Sequence, residues 1–229
     1  MRNYVYTRGM VTVEQQSPGK ASDRAYATLL DEIQSGALPA GAVVAEAEQA
    51  ARLGVSRTPM REALRRLAAD GLIVQQSPRV TVVAGIDKAD IRALFEIRRA
   101  LEESAARLAA ERGDAAVFRD IADQLADVHL ERDSDRDRYY ELIGRLDRAI
   151  DEAIANDYIA SALRTARAHL VRVRRLARDR PERLAASVAE HRTIAQAIAD
   201  RDGSLASHAT HVHLHNALAS ILQNPDIEG

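Results

Sequence analysis

The chain has 229 residues, 46% of them apolar and 29% charged, with a formal net charge of −2 and no cysteine. That balance excludes a disordered chain, a protein that coats nucleic acid, and any disulfide, thiolate metal site or thiol nucleophile. No apolar run approaches the ~18 residues of a membrane span and no signal-peptide pattern opens the chain, so a cytoplasmic protein is expected. Aromatic residues make up only 3%, which leaves Ala, Leu, Ile and Val to build the cores. The charge is unevenly placed: residues 1–85 sum to +2 and residues 86–229 to −4, as suits a DNA-binding front joined to a second domain with another task.

Residues 1–20 contain Ser17-Pro18-Gly19 and show no stable period, and they read as a flexible tail. A helix is predicted over about 23–34, with Tyr26, Leu29, Leu30 and Ile33 on one face, and Gly36, Pro39 and Gly41 then break the chain. A short helix follows over about 45–53. Gly54 turns the chain into another, where Ser56 suits the N-cap and Pro59 falls in the first turn, at no cost in hydrogen bonds. Met60, Leu64 and Leu67 give that helix an apolar face, and Arg57, Arg61 and Arg65, spaced i, i+4, i+8, give it a second face of guanidiniums. A short helix packed on one side and arginine-lined on the other is what the major groove of DNA admits. After Gly71, residues 72–75 and 80–83 read as two strands around Ser77-Pro78-Arg79. The predicted unit, residues 21–85, is a winged helix-turn-helix.

Beyond Gly85 every segment reads as helix: about 87–112, 115–130, 136–155, 157–178, 182–200 and 204–223, broken at Gly113-Asp114, Asn156-Asp157, Pro181 and Asp202-Gly203. The fold class is therefore mainly α, a winged helix-turn-helix followed by an all-α six-helix bundle over residues 86–229. Several polar residues interrupt its apolar stripes. Arg98 lies amid Ile91, Leu94, Phe95, Leu101 and Ala105; Asp147 lies between Ile143 and Ile150; His191 precedes Ile194 and Ile198. Such groups must meet one another, a metal or a ligand. His191 and His213 sit about eleven residues either side of the Asp202-Gly203 turn, which places them level in an antiparallel hairpin. With Asp147 they make a candidate site for one divalent ion (Zn, Ni or Mn); the competing reading is a hydrogen-bonded polar cluster without metal. Arg98 is the candidate receiver of an effector carboxylate, against an internal salt bridge to Glu102. His129, His169 and His208 read as ordinary surface or core histidines.

The stretch from Gly36 to Val83 resembles the DNA-binding domain of the GntR family of bacterial transcription regulators. Its most specific part is Leu53-Gly54-Val55-Ser56-Arg57-Thr58-Pro59-Met60-Arg61-Glu62-Ala63-Leu64-Arg65-Arg66-Leu67, followed by Gly71-Leu72-Ile73. The helical remainder is similar to the FadR-type effector domain, the FCD class, through Phe95-Glu96-Ile97-Arg98-Arg99-Ala100-Leu101-Glu102 and Glu190-His191-Arg192. Six helices rather than seven place it nearer the VanR-like branch. The resemblance implies a homodimer on a palindromic operator in double-stranded DNA, responsive to a small organic acid. It implies DNA contacts from Ser56, Arg57, Thr58 and Arg61, and from Arg79 in the wing. The chain departs from the family at Ser77-Pro78-Arg79-Val80, where the wing usually has a glycine, and at Ala47, often a polar or basic contact residue. Metal-binding members carry an Asp and a His four apart, then one His on each of the last two helices. His191 and His213 match the last pair, whereas Asp147 falls at the usual His position and Ile143 at the usual Asp position.

Two other functions compete. An architectural DNA binder without an effector predicts no buried Arg or His in the bundle. A metal-dependent hydrolase would need Asp147, His191 and His213 to activate a water, yet no general base in a recognised motif accompanies them.

Overall fold

The computed structural model describes residues 18–78, 80–176, 181–224 and 227. The tail read over 1–20 lies outside these up to residue 17, as does Arg79. Helix α1 spans Pro18–Ser35, five residues earlier than the periodicity suggested, because proline is tolerated in a first helical turn, where its missing N–H is not needed. Helices α2 (Glu46–Arg52) and α3 (Arg57–Ala69) complete the helix-turn-helix. Gly54, at φ +63°, makes the turn between them in a conformation that L side chains resist. Strands β1 (Ile73–Ser77) and β2 (Val80–Val83) pair antiparallel, Ile73 opposite Val83, with an irregularity between Gln75 and Ser77. Leu29, Met60, Ala63, Leu67 and Leu72 form the dry centre of this domain.

The chain enters the second domain at once, since Asp87 caps helix α4 (Lys88–Arg112) in a reciprocal capping box with Asp90. Helices α5 (Ala115–Ala126), α6 (Asp133–Ile154), α7 (Asp157–Leu176), α8 (Pro181–Ala199) and α9 (Gly203–Leu222) follow. α4 packs chiefly on α9, and α8 fills the space between α5 and α9. α5 stops four residues short of the predicted 130: Asp127 ends it and Leu130 takes φ +48°. The apolar period runs on because Val128 and Leu130 pack on the core from the loop.

Two apolar clusters share the bundle. One gathers Ala105, Phe118, Ile121, Ile143 and Ile198, and the other Ile91, Phe95, Leu170, Val173, Leu214 and Ile221. α7 joins the two domains. Ala168 belongs to the winged domain's core, the His169 Nε2–H donates to the Asp70 carbonyl at 2.6 Å, and Gln34 donates to the Ala168 carbonyl at 3.2 Å. His169, read from sequence as an ordinary histidine, is thus an interdomain contact.

Candidate nucleic-acid interface and bundle cavity

Helix α3 buries Met60, Ala63 and Leu67 against α1 and leaves Ser56, Arg57, Thr58, Arg61 and Arg65 exposed on its other side. Ser56 holds the N-cap position, yet its side chain makes no capping bond. The residue three places on is Pro59, which has no N–H to donate. The exposed start of α3 therefore keeps backbone N–H groups and a hydroxyl on the arginine side, a combination suited to phosphate. The arginines differ in their partners. Arg61 donates from Nε and Nη2 to the two oxygens of Glu46, both at 2.9 Å, and this contact lowers the Glu46 carboxyl below its ordinary range. Arg66 points the other way, to Asp23 at 2.6 Å with its guanidinium over the Tyr26 ring. Arg57 and Arg65 make no ion pair among the described residues.

In the bundle, Arg98, His191 and His213 come together where the two apolar clusters meet. Their residual exposures are 2%, 7% and 6%. The histidine rings lie 4.1 Å apart between centroids, as the level register of the α8–α9 hairpin requires. Arg98 donates to both oxygens of Glu102, at 2.7 and 3.2 Å, and stacks on Phe95. The internal salt bridge is therefore present. His213 donates Nδ1–H to Glu190 at 2.7 Å. Burial, opposed by that bond, lowers the His213 pKa, so the ring is neutral at pH 7 and its Nε2 carries the lone pair. His191 donates Nδ1–H to the Ser187 carbonyl at 2.8 Å, with the Tyr139 hydroxyl 3.0 Å from the same nitrogen. A neutral His191 likewise has its lone pair on Nε2.

Asp147 is placed differently. It lies 3.4 Å from Arg167, which also binds Asp151 at 2.6 Å, so a guanidinium takes up the carboxylate that the metal reading required. Ile143, at the family's usual Asp position, is buried apolar core. Among the described residues no group of three or more His, Asp or Glu side chains is placed to hold a metal ion. The donor set present fits two imidazole ligands and not the expected trio.

Two cavities border the cluster, and both touch Arg98, His191 and His213. One, of about 80 Å³, lies toward Tyr139, Tyr140 and Arg183; the other, of about 30 Å³, lies toward Glu102, Asp147 and Thr210. Sequence reasoning missed Tyr139, Arg183 and Asn216. Tyr139 could have been found, since it continues the Ile143–Ile150 stripe of α6. Arg183 lies two turns before Glu190 on the same helix α8 and binds it through both Nη atoms at 2.8 and 2.6 Å, whereas Asn216 gives no local signal, since it donates to Glu190 at 2.8 Å from α9.

Burial alone would raise the Glu190 carboxyl, but the bonds from His213, Arg183 and Asn216 outweigh it and bring the pKa down to about 2 from an ordinary 4.5. A depressed carboxyl stabilises the fold above its unfolded value, and that stability is lost as pH falls through the folded one. Between pH 5 and 2 this group should remove on the order of 2 kcal/mol. Glu190→Gln is expected to flatten that segment of the stability curve while lowering stability at pH 7, as read by urea unfolding across pH.

The comparisons with known proteins agree with this architecture. Residues 21–83 match the model for bacterial regulatory proteins of the gntR family, and residues 93–216 match the FCD domain. An "Uncharacterized HTH-type transcriptional regulator in unstable DNA locus" of Streptomyces ambofaciens is 32% identical over 77% of this chain and 75% of its own. The HTH-type transcriptional repressor RspR of Escherichia coli is 28% identical over 93% of this chain and 95% of its own. Among solved structures, E. coli McbR/YncC superposes with a TM-score of 0.72 at 21% identity, over 89% of this chain and 97% of that one, which speaks for the fold. These relatives are regulators and not enzymes, and no described helix is long and apolar enough to cross a membrane. The chain belongs to the gntR family of bacterial regulatory proteins: a transcription regulator with a DNA-binding winged helix-turn-helix and a helical FCD domain.

Proposed function

We propose that the protein is a homodimeric, cytoplasmic repressor that reads a palindromic operator with α3 and releases it when a small organic carboxylate enters the FCD cavity. The observation that carries this reading is the exposed row of Ser56, Arg57, Thr58, Arg61 and Arg65 on a helix whose other face is core. Two such helices reach half-sites about one helical turn, roughly 34 Å, apart only when a dimer presents them. Repression is supported by the name of the E. coli relative. A buried Arg98 and two buried histidines argue against an architectural binder, which has no use for them.

The cavities are far below the roughly 300 Å³ at which ligand pockets begin, so the effector must open the site as it binds. In this proposal its carboxylate takes the Arg98 fork from Glu102, and it meets His191 and the neutral His213 beside it. Two elements connect that exchange to the reading head. α4 carries Arg98 and is joined to β2 by only four residues. α7 turns Arg167 toward the cluster and Ala168 and His169 toward the winged domain. A ligand favouring one placement of these helices shifts operator affinity by its differential binding.

A divalent ion (Zn, Ni or Mn) is a second reading, favoured by the donor pattern at both imidazoles: a metal-binding His typically gives its other N–H to a carboxylate or carbonyl, as His213 and His191 do. Those two residues would hold it, and Asp147 could join only by leaving Arg167. The ion would supply a positive charge for the effector's carboxylate.

The test is selection of duplexes from a random pool by the full-length protein, then operator titration with organic acids, with and without each metal. Enrichment of a palindrome whose binding weakens with one acid supports the proposal. Enrichment of a single half-site, or no acid response, opposes the dimeric or the sensing part respectively. Dependence of that response on metal, lost in His213→Ala, would favour the second reading.

A further inference from the structure

Among the described residues of the FCD domain, Arg98 and Arg172 are buried and Arg167 is half-buried, and the three are not equally satisfied. Arg98 has Glu102, and Arg167 has Asp147 and Asp151. Arg172, on α7 and only 8% exposed, donates from Nη2 to the Ala84 carbonyl. Its Nη1 is buried without a hydrogen-bond partner, and no carboxylate lies within ion-pair reach among the described residues. Burial accordingly lowers its pKa below the ordinary arginine value. A buried charge without a counter-ion is costly, and one kept beside a cavity marks a candidate ligand site.

Arg172 lines a cleft of about 850 Å³ between the winged domain and the bundle. That volume falls within the roughly 300–1,000 Å³ of small-molecule sites. Ile33, Leu38 and Val74 line it from the winged domain and Leu94 from α4, with His169 and Gln34 also on its walls. Asp87 and Asp90 line it too, each accepting the other's backbone N–H at the start of α4.

We propose that this interdomain cleft is a ligand site separate from the Arg98 cavity, taking a small organic monoanion: a carboxylate on an alkyl or aryl body. The planar fork of Arg172 suits a carboxylate, which would take the Nη1 donor and share or replace the Ala84 carbonyl. The apolar walls accept the body. Asp87 and Asp90 select against a second negative charge, so phosphate and nucleotides are excluded by repulsion. The cleft lies beside the bonds that hold the domains together, His169 to Asp70 and Gln34 to Ala168. A bound anion therefore fixes the placement of the reading head directly, without passing through the bundle core.

The experiment titrates full-length protein with benzoate and with hexanoate by calorimetry, using phosphate and benzylamine as charge controls. At least one carboxylate should bind wild type and Arg98→Gln alike, and bind Arg172→Gln at least about tenfold more weakly. Arg172→Lys, which keeps the charge, should lose less than Arg172→Gln. The controls should bind wild type at least about tenfold more weakly than the better carboxylate. Independently of any ligand, Arg172→Met should raise the thermal midpoint, because it removes an unpaired buried charge. The proposal is overturned if neither carboxylate binds wild type, if binding survives Arg172→Gln, or if phosphate binds as well. A lower midpoint for Arg172→Met would make Arg172 a structural residue and also overturn it. Loss of binding in Arg98→Gln alone would place the anion in the bundle, supporting the effector reading above and rejecting this one.

Discussion

Arg61→Ala is expected to weaken binding to the selected operator by about 5- to 150-fold per half-site and to relax preference at one base pair of each, the 1–3 kcal/mol of a bidentate arginine–base contact. Arg61 is exposed, lies one turn into α3, and in the DNA-free protein has its fork held by Glu46. That carboxylate keeps the guanidinium in a single orientation and also competes with DNA for it. Glu46→Ala is therefore expected to tighten binding to all duplexes, since it removes a negative charge beside the phosphates, and to lower discrimination between them. Arg57, at the first residue of α3 and without an ion pair among the described residues, should behave as a phosphate contact. Arg57→Ala then weakens all sequences alike and reduces the slope of log affinity against log salt by about one per half-site, about two for the dimer. Anisotropy titrations of the operator and a scrambled duplex at several salt concentrations separate the three outcomes. An Arg61→Ala protein with unchanged base preference would remove Arg61 from the reading set.

The reading helix was legible because its signals are local. Gly54, Pro59 and the two residue periods of α3 all lie within one short stretch, and the structure keeps each of them. The six helices of the bundle were legible for the same reason, since every break coincides with a glycine, proline or Asx residue. The errors came where a local signal had two causes. The apolar period through Val128 and Leu130 reflects packing from a loop and not a longer α5. Ser17-Pro18-Gly19 looked like a breaker, yet Pro18 opens α1.

The candidate site was half legible. Periodicity found Arg98, His191 and His213 because a polar residue on an apolar stripe is visible in one helix, and the α8–α9 turn fixes the register of the two histidines. It could not find Arg167, which reaches Asp147 from the next helix, or Glu190 as a hub binding α9 as well as its own helix. Nor could it find the interdomain role of α7, whose contacts join residues 99 and 134 positions apart.

Arg98→Ala should be the most destabilising substitution at the bundle site, by about 3 kcal/mol, the lower part of the range for removing one partner of a buried ion pair. The cost comes mainly from Glu102, left in a buried setting without its bidentate partner, while the more distant Arg167 still attracts it and limits the loss. The pH dependence should change sign. In the wild type, burial raises the Glu102 pKa, but Arg98, with smaller help from Arg167 and His213, more than compensates and the carboxyl lies below its ordinary value. Its contribution is then present above the unfolded pKa and lost on acidification. With Arg98 gone, burial prevails and the carboxyl rises above its unfolded value, so the penalty is greatest at neutral pH and relieved as the group protonates. Arg98→Ala should therefore recover stability relative to wild type between pH 7 and 5. Arg98→Met with Glu102→Leu, which removes both charges at similar volume, should be near wild type in stability, yet its operator binding should no longer respond to the organic acid. Urea unfolding across pH and operator titration test the two halves of this expectation separately. If the double variant remains responsive, the carboxylate is not received by Arg98, and the effector must act from another part of the molecule.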